Sequence, residues 1–238
     1  MRTCFLTSSP ADAGEKLNPA NGFVRELRSA LPQSCRALFV CSDPDSPDKT
    51  DFFARELRRS LEEAGFRFAD FAVLDRRNQR DAARELGGAD FVILGGGHVP
   101  TQNRFFTQLG LRGLMEPFGG TVLGISAGSM NSADVVYAQP ELPGEALDPH
   151  YRKFLRGLGL AKTMLLPHYQ LTKNETLDGL RLFDEITSRD SLGRCFYAIP
   201  DGSYLLVRDG GEELRGEAYR IENGALRQIL SDGQTLRL

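Results

Sequence analysis

In Thr121-Val122-Leu123-Gly124-Ile125-Ser126-Ala127-Gly128-Ser129-Met130-Asn131-Ser132-Ala133, a short apolar run ends in Gly-x-Ser-x-Gly and passes into residues that suit a helix. That order predicts a strand, a sharp turn and a helix with Ser126 at the turn, the arrangement called a nucleophile elbow. Small residues are needed on both sides. A serine in a strained backbone conformation leaves no room for a Cβ at Gly124 or Gly128 against the neighbouring strand and helix. The turn would lift the Ser126 hydroxyl above the sheet, and the N–H groups that open the helix, Ala127 first, would point at a developing oxyanion. A glycine-rich turn with an incidental serine has the same local pattern, so the rest of the chain must supply the distinction.

Outward from this stretch, short apolar runs alternate with amphipathic ones, the pattern of a mostly parallel sheet flanked by helices. Strands are expected at Thr3 to Thr7, Ala37 to Cys41, Phe68 to Leu74 with a break at Asp70, Phe91 to Leu94 and Thr121 to Ile125. Their near-continuous hydrophobicity suits strands covered on both faces. Asp48 to Ala64 reads as a helix with an apolar stripe of Phe52, Phe53, Leu57 and Leu61, capped by Gly65, and a second helix is expected from about Arg77 to Leu86. After residue 203 the character changes. Tyr204 to Val207, Glu213 to Ile221 and Leu226 to Leu230 read as strands separated by Gly-bearing turns, a β-hairpin or meander. One α/β domain over residues 1–238 is expected, with residues 203–238 a β-rich extension packed on it.

The chain of 238 residues carries 29 Lys and Arg against 32 Asp and Glu, a net charge of −3, with 41% hydrophobic residues. This is ordinary globular composition, and a chain of this length buries roughly 70–75% of its unfolded surface. No basic stripe suited to nucleic acid is present, and no apolar run approaches the ~20 residues that span a bilayer. Nor does the amino terminus carry the apolar core of a signal peptide. Cys4, Cys35, Cys41 and Cys195 form no C-x-x-C pair and no metal-ligand spacing with the three His. They read as reduced thiols in a cytoplasmic protein with no metal and no cofactor.

A serine hydroxyl needs a base, and the histidines are His98, His150 and His168. His168 follows the apolar run Met164-Leu165-Leu166-Pro167, which places its imidazole at a strand end, whereas His150 sits in a polar loop. The imidazole in turn needs an orienting carboxylate. Asp201, after Cys195 to Ala198 and Ile199-Pro200, could reach the same crevice, and Glu141 is the competitor. Gly95-Gly96-Gly97-His98 follows another strand, so Gly96 or Gly97 could give a second oxyanion donor, and His98 could contact substrate or serve the turn. No G-K-[ST] or full G-x-G-x-x-G follows, which argues against a nucleotide loop.

Taken together, Gly95-Gly96-Gly97 with Gln102, Gly124-Ile125-Ser126-Ala127-Gly128, Pro167-His168 and Pro200-Asp201-Gly202 resemble the peptidase E (aspartyl dipeptidase) and cyanophycinase group of serine peptidases. The resemblance covers most of residues 1 to 208 in element order and implies a fold like that of class I glutamine amidotransferases, a three-layer α/β/α arrangement. It implies Ser126 as nucleophile, His168 as base, Gly96 or Gly97 with Ala127 as oxyanion hole, and His98 and Gln102 beside the substrate. Asp201 is implied as third member, with Glu141 as the alternative. The expected substrate is a small peptide, and a homodimer is compatible with the reading. Two departures bear on substrate: basic residues that follow the His in aspartyl dipeptidases are replaced by Asn174-Glu175-Thr176-Leu177-Asp178, and His98 stands where Asn or Asp is usual. These remove the basis for expecting cleavage after Asp. An esterase-type α/β hydrolase and a non-catalytic peptide-binding protein are the rival readings.

Overall fold

The computed structural model describes residues 2–12 and 16–238. Its centre is a run of parallel strands: β1 (Thr3–Thr7), β2 (Cys35–Val40), β3 (Phe68–Leu74), β4 (Phe91–Leu94) and β5 (Thr121–Ile125). They lie in the order β1-β5-β4-β2-β3 and every neighbouring pair is parallel, so each connection is a crossover that must carry other structure. The helices α1 (Phe23–Ala30), α2 (Pro47–Glu63), α3 (Ala82–Gly88), α4 (Val99–Gln108) and α5 (Leu111–Met115) fill these connections, and α6 (Ala127–Asn131) follows β5. The apolar composition of the strands follows from their position: every residue of β4 is buried, as are Val122 and Leu123 of β5.

The carboxyl-terminal region pairs into the sheets themselves. Tyr204–Arg208 runs antiparallel to β1, Gly211–Arg215 pairs with it in turn, and Thr235–Arg237 closes an eight-stranded sheet. The expected strand Glu213 to Ile221 is divided, because Gly216 adopts φ +91° and sends the chain out of this sheet. Ala218–Glu222 and Ala225–Leu230 then join Cys195–Ala198 and Met164–Leu166 in a separate four-stranded sheet. A second apolar cluster lies against that sheet, where Tyr137 and Phe196 stack with ring centroids 4.3 Å apart.

Other departures have local causes. Arg77 stays out of the second helix, which begins at Ala82 after a short turn, since its guanidinium is committed to the buried Asp75 and to Asp51. Strand β3 is continuous through Asp70, and the irregularity appears as a register slip between Cys35 and Arg36 of β2. In α2, Leu61 is buried and Leu57 half-buried, but Phe52 and Phe53 are turned outward. No helix among the described residues is long and apolar enough to cross a membrane.

Both sheets deliver loops to one place. In the first sheet Ile125 of β5 pairs with Thr7 and Gly124 with Leu94, so the chain beyond β1, β4 and β5 emerges side by side as Ser8, Gly95-Gly96-Gly97 and Ser126. In the second, Ala198 pairs in parallel with Leu166, so Pro167-His168 and Pro200-Asp201 also leave together. Tyr204 ties the tail to the main core through Phe5 and Phe23, with centroids 6.1 and 5.5 Å away. Truncating this fully buried ring by Tyr204→Ala should cost about 3–5 kcal/mol, as for other large aromatic-to-alanine changes. Urea unfolding would measure it, and a loss below about 1 kcal/mol would show that the tail is dispensable to the core.

Candidate active site

Ser126 occupies the turn between β5 and α6 with φ +50° and ψ −112°, a conformation that an L side chain rarely adopts. Its N–H donates to the carbonyls of Thr7 and Ser8, both at 3.1 Å, and its own carbonyl accepts from Ser129 and Met130. The flanking glycines are required as expected. A Cβ at Gly124 would lie 2.9 Å from Cα of Ser129, and one at Gly128 would run into the Leu94 carbonyl. The triglycine loop passes close over the elbow: a Cβ at Gly96 would already touch that of Ser126 at 3.4 Å, and one at Gly97 would collide with Ser42. The N–H groups of Gly97 and Ala127 have no acceptor among the described residues and are available to an anionic oxygen.

His168 is the second strained residue, with φ +58° immediately after Pro167. Its Nδ1 is 2.8 Å from Asp201 Oδ1. The carboxylate also accepts from Ser8 Oγ at 2.6 Å and, on its other oxygen, from the Gln170 amide at 2.6 Å. Burial alone would raise the Asp201 carboxyl, but the hydrogen bonds from His168, Ser8 and Gln170 and the nearby imidazole outweigh it and hold the group below the ordinary Asp value. Ser8 completes the joint: the same hydroxyl accepts the backbone N–H of His168 at 2.7 Å, while the Ser8 carbonyl receives the Ser126 N–H.

The remaining expected residues are distributed unevenly. Glu141 borders the same crevice as Ser126 and His168, but no hydrogen bond joins it to the imidazole. Its carboxyl is raised by the surrounding protein, partly offset by His98 and reinforced by Glu145, with smaller opposed contributions from His168 and Glu175. His98 is turned into the structure, its Nδ1 2.8 Å from Thr101 Oγ1 and its Nε2 2.9 Å from Glu145 Oε1, so both ring nitrogens are engaged. Gln102 does not face the crevice at all: its fully buried amide donates to the Gly95 carbonyl at 2.6 Å and accepts from Asn131 at 3.0 Å, bracing the triglycine loop against α6. His150 is on an exposed loop. Cys41 lies near the crevice, but burial and the neighbouring Asp75 push its thiol up to about 12, so it stays protonated and unreactive.

Ser8 and Gln170 were not among the residues expected to act here. The available signal for Ser8 was a hydroxyl at the end of the strand paired with the elbow strand; for Gln170, an amide two residues past the imidazole. Among the described residues, two spaces reach Ser126 and His168. One of about 130 Å³ is bounded by Glu141, Glu175, Met130 and Leu182. The other, about 480 Å³, is bounded by Phe39, Phe52, Phe53 and Leu57 with Gly96 and Gly97.

A strained serine between free backbone donors, on a parallel α/β sheet and beside a carboxylate-held imidazole, defines a serine-type hydrolase. The model of peptidase family S51 matches residues 4–215, and the chain belongs to that family. It is a serine-type peptidase. Among solved structures, a peptidase from an acI-B1 Actinobacterium aligns over 100% of this chain and 97% of its own at 17% identity with a TM-score of 0.70. A putative peptidase E protein from Listeria monocytogenes EGD-e covers 97% of this chain and 100% of its own at 16% identity with a TM-score of 0.61. At these identities the likeness is one of fold. No curated protein matches the chain.

The lowered Asp201 pKa makes a prediction about acid stability. A carboxyl depressed in the folded state contributes stability that is present above its unfolded value and disappears as pH falls through the folded one. The difference in unfolding free energy between wild type and Asp201→Asn should therefore be flat above about pH 5 and shrink as pH falls below about 4. Urea unfolding across pH 2–7 would show it, and a pH-independent difference would contradict the assignment.

Proposed function

We propose that this serine-type peptidase hydrolyses small peptides through an acyl-enzyme on Ser126. The observation that carries the reading is the 2.8 Å contact between His168 Nδ1 and Asp201, with His168 and Ser126 bordering the same crevice. With the Nδ1 proton donated to Asp201, Nε2 is left as the basic nitrogen. Ser126 Oγ attacks the peptide carbonyl and its proton passes to Nε2 as the new C–O bond forms. The oxyanion is received by the N–H groups of Ala127 and Gly97 or Gly96. Collapse breaks the C–N bond, His168 returns the proton to the departing amine, and water then repeats the sequence on the ester. Asp201 holds the tautomer and balances the imidazolium. Ser8 acts as a positioning residue, keeping ring and carboxylate in register with the elbow. Four cysteines without disulfide partners are consistent with a cytoplasmic setting.

A fluorophosphonate should label wild-type protein on Ser126, as read by intact mass and peptide mapping, and should leave Ser126→Ala unlabelled. Folded wild-type protein without an adduct would dismiss the mechanism. Peptide turnover by Asp201→Asn should fall on the order of 10⁴-fold, while Glu141→Gln should retain the triad and lose far less. Ser8→Ala should lower kcat by about 10²-fold, the scale of a misplaced catalytic group, with little change in KM. An unaltered kcat would restrict Ser8 to folding.

A further inference from the structure

Ser126 and His168 stand between the two spaces, and the chemistry of the two differs. The larger cleft has an apolar wall of Phe39, Phe52, Phe53 and Leu57. Phe52 and Phe53 are 50% and 49% exposed and meet edge to face at 5.7 Å. Isolated surface apolar residues are unremarkable, but two adjacent phenyl rings on the wall of a cleft that ends at a nucleophile form a recognition surface. Lys49 sits over the Phe53 ring at 6.0 Å, and Asp12, Glu56 and Arg59 also border the cleft, so charges of both signs accompany its apolar wall.

The smaller space differs in charge. Its charged members are Glu141 and Glu175, with no Lys or Arg. Neighbouring acidic groups are occupied with structure: Glu145 binds His98 through one oxygen and the N–H groups of Glu141 and Leu142 through the other, and Asp178 accepts from Gly144 and Ala146. Glu141 and Glu175 make no side-chain hydrogen bond or ion pair among the described residues.

We infer that the substrates are short peptides with a free amino terminus, bound with the ammonium in the compartment of Glu141 and Glu175 and an apolar residue, on the leaving side of the scissile bond, against Phe52 and Phe53. This deepens the reading above and rests on it. In a short peptide the one obligatory positive charge is at the amino terminus, which assigns the acidic compartment to the first residue. The terminal carboxylate then lies on the side of the larger cleft, where charges of both signs are present. A basic first residue adds attraction, and an acidic one brings a third carboxylate beside two that have no Lys or Arg partner.

The test is a comparison of kcat/KM for Lys-Phe, Ala-Phe, Asp-Phe, Ala-Asp and N-acetyl-Ala-Phe in wild type, Glu175→Lys and Phe53→Ser. Wild type should prefer Lys-Phe over Asp-Phe and Ala-Phe over Ala-Asp by tenfold or more, and acetylation should abolish turnover. Glu175→Lys should reverse or erase the Lys-Phe to Asp-Phe ratio, and Phe53→Ser should compress the Ala-Phe to Ala-Asp ratio. Because each readout is a ratio within one protein, partial loss of folded enzyme cancels. Turnover without these preferences, or ratios unmoved by the substitutions, would overturn the inference and leave the peptidase mechanism intact. Fluorophosphonate labelling of Ser126 with no turnover of any of these peptides would overturn the small-peptide reading and this inference together.

Discussion

The Ser126 N–H, held by two carbonyls at the end of β1, is the contact on which the site is built. A non-glycine residue at positive φ costs on the order of 1–3 kcal/mol and persists only where its surroundings over-determine it. Here they do. Ser129 Oγ donates to the Thr7 carbonyl at 2.7 Å, Thr7 Oγ1 donates to the Gly124 carbonyl at 2.8 Å, and glycines at 124 and 128 allow strand, turn and helix to approach. The β1–β5 seam is thus fastened by side chains as well as by its ladder, at the point where the strain is greatest.

The same chain end carries the constraint into the second sheet. Ser8 gives its carbonyl to the elbow and its hydroxyl to His168 and Asp201, which arrive on a different pair of parallel strands. Nucleophile and base therefore come from separate sheets, joined through a residue with no solvent exposure. Such a joint is rigid because each of its polar atoms is satisfied, and a satisfied buried network admits few alternative arrangements. His168, itself at positive φ, is held from both directions, by its N–H on Ser8 and its ring on Asp201.

What could be read from the residues alone follows the reach of local rules. The five parallel strands, the elbow and the ends occupied by His168 and Asp201 are visible because apolar runs, glycines and Pro-His or Pro-Asp breaks are local signals. The two-residue offset of His168 from Leu166 and three-residue offset of Asp201 from Ala198 matter only once those strands pair, and that pairing is tertiary. Ser8 was invisible for the same reason: Thr7-Ser8-Ser9 looks like an ordinary polar strand end until β1 lies beside β5. Gln102 shows the reverse error. A glutamine four to five residues past a glycine loop invites a substrate role, but the first turn of α4 points it inward, where the buried Gly95 carbonyl needs a donor. Phe52 and Phe53 fit a helical stripe by spacing, yet the sheet covered by α2 is met by Ala54 and Leu61 and leaves the two rings to the cleft.

Charge is where the scales separate most. A net charge of −3 over 238 residues sets solubility and long-range steering, and at physiological ionic strength that field is screened beyond about 8 Å. A substrate against Ser126 lies inside that distance, where individual carboxylates with few competing partners govern. Most acidic side chains here are already committed, Asp51 and Asp75 to Arg77, Asp45 to Arg76, Asp190 to Lys153 and Tyr137. Those interactions stabilise the fold and contribute little net field. Among the described residues, Glu141 and Glu175 make no side-chain hydrogen bond or ion pair, and they border a small space that opens on the nucleophile. A nearly neutral protein can therefore carry acidic groups of one sign beside its nucleophile, because the local field depends on the groups the fold leaves without partners.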